Sequence, residues 1–156
     1  TKDSVQEGYL CFVQMLDKFN NSTNLQIERR GNSATSKINI LKEMVFVGKA
    51  TAILIYDFLS VSDYADKIKE DEEFKFLKCI RNGAAHNNKF DLKYRYGKNK
   101  GQWVIDEKET IKWSNMIISR ASHEKVVFND FISLFSVFLL AKYFSERLTG
   151  IDNEQK

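Results

Sequence analysis

The sequence predicts a mainly α protein, an antiparallel helical bundle of four to five helices with a β-hairpin inserted over about residues 90–106. Three observations carry this. Proline is absent from the 156 residues and glycine numbers seven, so long helices meet few breakers. Apolar residues recur at helical spacing in several long windows, and twelve phenylalanines supply bulky packing. After the third of these windows the period switches to two around a glycine-bounded polar turn. The length suits a single domain, 1–156, with a proper core.

In chain order, Val5, Tyr9, Phe12, Val13, Leu16 and Phe19 set out a first amphipathic helix that frays at Asn20-Asn21-Ser22. Residues 20–36 are rich in Asn, Ser, Thr and Gly and read as a loop, with Arg29 and Arg30 as a solvated charge pair. Ser36 is placed to cap a second helix over about 37–59. That helix is apolar around most of its girth, which predicts burial on several sides. Residues 63–70 form a short amphipathic turn or helix.

A third helix starts near Glu72, with Phe74, Leu77 and Ile80 on one face and Phe76 and Cys79 opposed. It runs into Arg81-Asn82-Gly83-Ala84-Ala85-His86, where Gly83 is a natural stop or point of distortion. Leu92, Tyr94 and Tyr96 then alternate with Lys93 and Arg95, and Trp103 and Ile105 flank Val104 beyond the turn at 97–101. This is the hairpin. Ile111, Trp113, Met116 and Ile117 predict a short helix over 108–119, with an extension of the hairpin through 111–113 as the alternative. The last helix is expected over about 124–148, stopped at Gly150 and followed by a polar tail, 151–156. The run 126–141 is apolar but holds Asn129, Asp130 and two serines, so it falls short of a membrane span and predicts a buried or interface helix.

Net charge is +3, too mild to demand nucleic acid by itself. Its distribution says more. Between residues 87 and 102 five bases, Lys89, Lys93, Arg95, Lys98 and Lys100, face one acid, Asp91, for a net of +4. Cys11 and Cys79 have no paired framework and read as reduced thiols of a cytoplasmic protein. No signal-peptide pattern is seen, and cytoplasmic localisation is the expectation. His86 and His123 stand apart, and the cysteines lack metal spacing, so neither a metal nor another cofactor is expected. His123 reads as a surface residue of a loop. Glu43 and Lys49 read as a solvated carboxylate and a snorkelling lysine.

Arg81, Asn82 and His86 are the candidate catalytic residues. A guanidinium holds a phosphate bidentately and stays charged. An imidazole gives or takes a proton between pH 5 and 8. An amide can hydrogen-bond a phosphate or orient either neighbour. Together they suffice to cleave a phosphodiester without a metal. The basic stretch begins just past His86, so Lys89, Lys93, Arg95, Lys98 and Lys100 are the candidate RNA-binding residues. Tyr94, Tyr96 and Trp103 are placed to stack bases or to pack inward on the bundle.

The Arg-Asn-x-x-x-His run resembles the signature of the HEPN superfamily, small helical bundles that include many RNases of prokaryotic defence and toxin systems. The order of elements is similar too: the run near the end of the third major helix, then an inserted hairpin, then a terminal packing helix. The resemblance implies a metal-independent endoribonuclease of a defence or toxin–antitoxin system, leaving 2′,3′-cyclic phosphate and 5′-hydroxyl ends. It also implies a homodimer with two Arg/His sets in one cleft, and an antitoxin or other defence-system protein as a further partner. Arg81 and His86 are five residues apart, roughly 140° around a regular helix, so one face holds both only if the helix unwinds or a second copy contributes. A toxin branch of the family carries Tyr two residues after its His. Here Asn87 and Asn88 follow His86, which argues against control by tyrosine modification. The rival reading is a non-catalytic bundle of the same type that binds RNA, a nucleotide or a protein partner. A DNA-binding protein would need a basic recognition helix that the sequence lacks.

Overall fold

A computed structural model describes residues 34–94 and 97–153. The expected first helix, the loop with Arg29 and Arg30, Cys11, Arg95 and Tyr96 lie outside these residues. The protein is mainly helical with a small two-stranded antiparallel sheet. In order come α1 (Ala34–Val61), the one-turn α2 (Ala65–Ile68), α3 (Glu72–Ala85), β1 (Ile111–Trp113), β2 (Met116–Ile118), a 3-10 turn (Arg120–Ser122) and α4 (Leu134–Asn153). The chain divides into two compact units, 1–44 and 45–156, with the boundary inside α1. The second unit carries Arg81, Asn82, His86 and the basic segment.

α1 starts at Ala34, so Ser36 lies inside it and is not its cap. One side of α1 packs inward through the buried Ala52 and Leu59. There a Cβ on Gly48 would come within 2.7 Å of Phe128 Cε1, so glycine is what lets that ring lie on the helix backbone. The other side is bare. Phe46, Leu54, Phe58 and Val61 are exposed, Phe46 at 72% and Val61 at 84%. Together with Asp57 they fall within roughly 120° of the helix circumference. The expectation of burial on several sides is therefore wrong: an apolar girth does not itself supply neighbours. The span Leu41–Val61, mean hydropathy 1.6, is long and apolar enough to cross a membrane by length and composition.

α3 is the axle of the second unit. Its first turn carries Glu72 and Glu73, favourable at a helix N-terminus. Phe74, Phe76, Leu77, Cys79, Ile80, Gly83 and Ala84 are buried. Such side chains contribute about 1.5–3 kcal/mol each when large and fully covered. Phe74 stacks on Tyr56 of α1 at 5.2 Å and meets Phe144 of α4 edge-on at 6.3 Å. Phe76 packs on Trp113 of β1 at 5.8 Å. Arg147 Nε donates to Asp71 Oδ2 at 3.4 Å, tying α4 to the start of α3.

The expected helix over 108–119 is instead the β1–β2 hairpin, in register Ile111↔Ile118, Lys112↔Ile117 and Trp113↔Met116. Ser114, at φ 55°, makes the turn. Three isoleucines and a tryptophan favour a pleated surface, and a short apolar run fits either period. Among the described residues, the hairpin expected over 90–106 shows one antiparallel bridge, Lys93↔Trp103. Tyr94 N–H donates to Gln102 O at 2.9 Å and Val104 N–H to Leu92 O at 2.9 Å on either side of it. Gly97 (φ 78°) and Gly101 (φ 84°) bound the tip.

The last helix begins ten residues later than expected, at Leu134, where Ser133 Oγ accepts the Ser136 N–H at 3.1 Å and caps it. Residues 124–128 are held against 88–90 instead. Phe90 N–H donates to Lys125 O (3.0 Å), Glu124 N–H to Phe90 O (2.9 Å) and Val127 N–H to Asn88 O (2.9 Å). Asn88 completes the join with its side chain. Its Oδ1 accepts the Phe128 N–H and its Nδ2 donates to the Phe128 carbonyl, both at 3.0 Å. An amide is the side chain that can imitate a strand neighbour in this way. α4 also runs through Gly150 to Asn153, and Ile151 is buried, so the tail expected from 151 starts later.

Candidate active site

Gly83 neither ends nor distorts α3. The helix runs regularly through it, and a Cβ there would collide with Val127 Cγ2 and press on the Lys89 carbonyl at 3.2 Å. Glycine is needed because the segment after the helix folds back onto it. The cap is His86, whose N–H donates to Asn82 O at 3.0 Å and Gly83 O at 3.2 Å. Asn87 (φ 55°) and Asn88 (φ 61°) then turn the chain in the left-handed region that Asn tolerates.

α3 stays regular only to Ala85, and the cap His86 leaves helical geometry at φ −118° and ψ 75°. Arg81 turns toward α1. Its Nη2 lies 3.3 Å from Asp57 Oδ1, and its guanidinium carbon lies 5.6 Å from the centre of the Tyr56 ring. Its Nε is buried and finds no hydrogen-bond partner among the described residues. The His86 imidazole, half-buried, makes no hydrogen bond among the described residues. Asn82 faces elsewhere. It lines a cleft of about 510 Å³ with Lys75, Lys78, Cys79, Tyr94 and Ile111, among others, and neither Arg81 nor His86 reaches it. Burial pushes the Cys79 thiol up to about 12, so this side chain is an inert part of the cleft wall near neutral pH. Glu70, Glu72, Asp91 and Glu109 also line the cleft, outnumbering its two lysines, so it does not suit a phosphate.

Of the candidate RNA-binding residues, Lys89 reaches Glu124 Oε2 at 3.8 Å, and Lys93 Nζ sits 4.6 Å from the centre of the Trp103 ring. Lys98 and Lys100 are exposed at the hairpin tip with no side-chain partner among the described residues. His123 is not the surface residue expected from its loop position. Its side chain is 20% exposed, and its Nδ1 accepts the Leu92 N–H at 3.2 Å. Asp57 and Tyr56, the partners of Arg81, carried no sequence signal, because the contact spans 24 residues. Arg120 and Trp103 meet across an equally silent separation. Among the described residues no group of three His, Cys, Asp or Glu side chains comes together as metal ligands. No known protein family, curated protein or solved structure matches the chain.

Proposed function

We propose that the protein is a metal-independent endoribonuclease of a defence or toxin–antitoxin system, built as a HEPN-like antiparallel bundle with an inserted hairpin. The observation that carries this reading is the placement of the motif. A half-buried guanidinium with an unsatisfied Nε and an unengaged imidazole sit one and a half turns apart at the accessible end of the same helix. In the reaction, the 2′-oxygen of RNA attacks the adjacent phosphorus and the bond to the 5′-oxygen breaks. His86 takes the 2′-hydroxyl proton or supplies the proton to the departing 5′-oxygen. Arg81 neutralises the phosphorane oxygens. The products are a 2′,3′-cyclic phosphate and a 5′-hydroxyl, and DNA, lacking the nucleophile, is not cut.

Arg81 is drawn against α1 by Asp57 while His86 caps the end of α3, so a second copy supplies the complementary group of the cleft. The bare stripe of α1 is the seam that fits. It is continuous with Asp57, the residue that holds Arg81, and an isologous contact along it would bring the Arg81 side chains of two copies toward each other. The protein would act in the cytoplasm, with an antitoxin or other defence-system protein as its control.

The Arg81–Asp57 pair also favours a second reading, in which Arg81 is a strut between α3 and α1 and the bundle binds RNA, a nucleotide or a protein without cleaving. Labelled RNA incubated with EDTA separates the two. Cleavage should persist with chelator and fall by about 10²–10⁴-fold in His86→Ala without a change in melting temperature. Arg81→Lys should also lose activity, because a point charge does not replace a planar fork. Full activity in both variants would sink the ribonuclease assignment to this motif.

A further inference from the structure

The described arginines fall into two kinds. Arg81 and Arg147 each meet an aspartate, at 3.3 and 3.4 Å. Arg120 meets none. Its Nε donates to the Ile105 carbonyl at 2.9 Å, and its guanidinium carbon lies 5.2 Å from the centre of the Trp103 ring. Both of its terminal nitrogens are left without a partner among the described residues. The same indole carries Lys93 Nζ at 4.6 Å, placed there by the Lys93↔Trp103 bridge, which puts the two side chains on one face. Lys93 has no carboxylate partner among the described residues either. His123 meets the indole edge-on at 5.3 Å. Since its Nδ1 accepts from Leu92, a neutral ring carries its proton on Nε2, 3.8 Å from Glu124 Oε1. That carboxylate is shared with Lys89, also at 3.8 Å, and is not placed on Arg120 or Lys93.

Two cations thus lie against one aromatic ring, and neither meets a carboxylate among the described residues. Ordering two long cationic side chains on a ring costs side-chain entropy, and the ring offsets only part of it. The missing member is an anion from outside. We infer that Arg120, Lys93 and Trp103 form a phosphate-holding platform that takes the backbone of a single-stranded RNA. Arg120 presents the planar fork that matches phosphate oxygens, held in place by the carbonyl of Ile105. Lys98 and Lys100 prolong the line of charge along the same hairpin, which suits a chain of phosphates better than one. The platform is separate from Arg81 and His86. The choice of RNA among polyanions rests on the ribonuclease reading; the anion site itself does not.

The test uses the His86→Ala protein, so that cleavage does not interfere, and a labelled oligoribonucleotide of roughly twelve nucleotides. Lys93→Gln and Arg120→Gln should each weaken binding by roughly fivefold. Each should also flatten the dependence of log K on log salt by roughly 0.7. Arg120→Lys should not restore the loss, and RNA should change the Trp103 emission. Lys93 is an exposed side chain, so its variant folds and keeps the test decisive if Arg120→Gln does not. DNA of the same sequence should bind comparably, since phosphate is what the platform reads. Inorganic phosphate should compete only at much higher concentration. RNA that binds both variants with unchanged affinity and salt slope overturns the platform, as does the absence of RNA binding. Cleavage by the wild type in either case would leave the ribonuclease reading standing. Retained platform binding in a wild type that never cleaves would remove that reading alone.

Discussion

At Gly83 the physics of one missing carbon decides whether the motif helix can exist in this fold. A methyl group there meets Val127, which is fully buried, and the Lys89 carbonyl, which is backbone and cannot step aside. Gly83→Ala should therefore destabilise the protein by about 1–3 kcal/mol, despite the better helix propensity of alanine. Urea unfolding measures it. Adding Val127→Ala should recover part of the loss, and strictly additive costs would show that the collision is not the cause. The sequence made Arg81, Asn82 and His86 visible because a motif is local. It could not show that Asn82 lines a different cleft, nor that Arg81 leans on Asp57, because those facts depend on which helix lies beside α3. His123 hides from the sequence for the same reason: a residue between elements is a surface residue only if nothing folds back over it, and here the Leu92 N–H does.

Among the elements, α1 shows how far periodicity reaches. A helix apolar all round announces that it wants cover on every side, but not where the cover comes from. α3 covers one side through Tyr56 and Phe74, and Phe46, Leu54, Phe58 and Val61 are left outside. If a second copy covers them, Leu54→Glu combined with Phe58→Glu should convert the dimer to a monomer by light scattering. Melting temperature at low concentration should barely change, because both side chains are already exposed there. RNA cleavage should fall with the dimer. A monomeric wild type with full activity would remove the seam. The shorter elements were the hardest to foresee. Residues 111–118 and 124–133 are short stretches of mixed apolar and polar residues that fit a helical turn or a strand equally well. The choice is made by pairing partners, Phe76 beneath Trp113 and Asn88 beside Phe128, that lie far away in sequence.

For the molecule as a whole, the mainly helical class followed from what the chain lacks, proline above all, and from its long periodic windows. Its connectivity in space did not, because the joins between 88–90 and 124–128 are long-range backbone pairings with no compositional mark. Those joins give the turn at 97–101 an unusual standing. Nothing lies within 4 Å of where a side chain would sit on Gly97 or Gly101, and Lys98 and Lys100 between them are exposed. Brief trypsin treatment should cut there first, as exposed tips with small residues are preferred sites of nicking. The piece ending at the cut carries the motif and the piece beginning after it carries Trp103 and Arg120. They should still elute together on gel filtration, held by the bonds of Tyr94 to Gln102, Leu92 to Val104 and Phe90 to Lys125 and by the aromatic core. New ends could then be opened at this turn and the protein expressed as two complementary fragments, so that mixing them rebuilds the fold and brings the motif and the Trp103 ring back into one molecule.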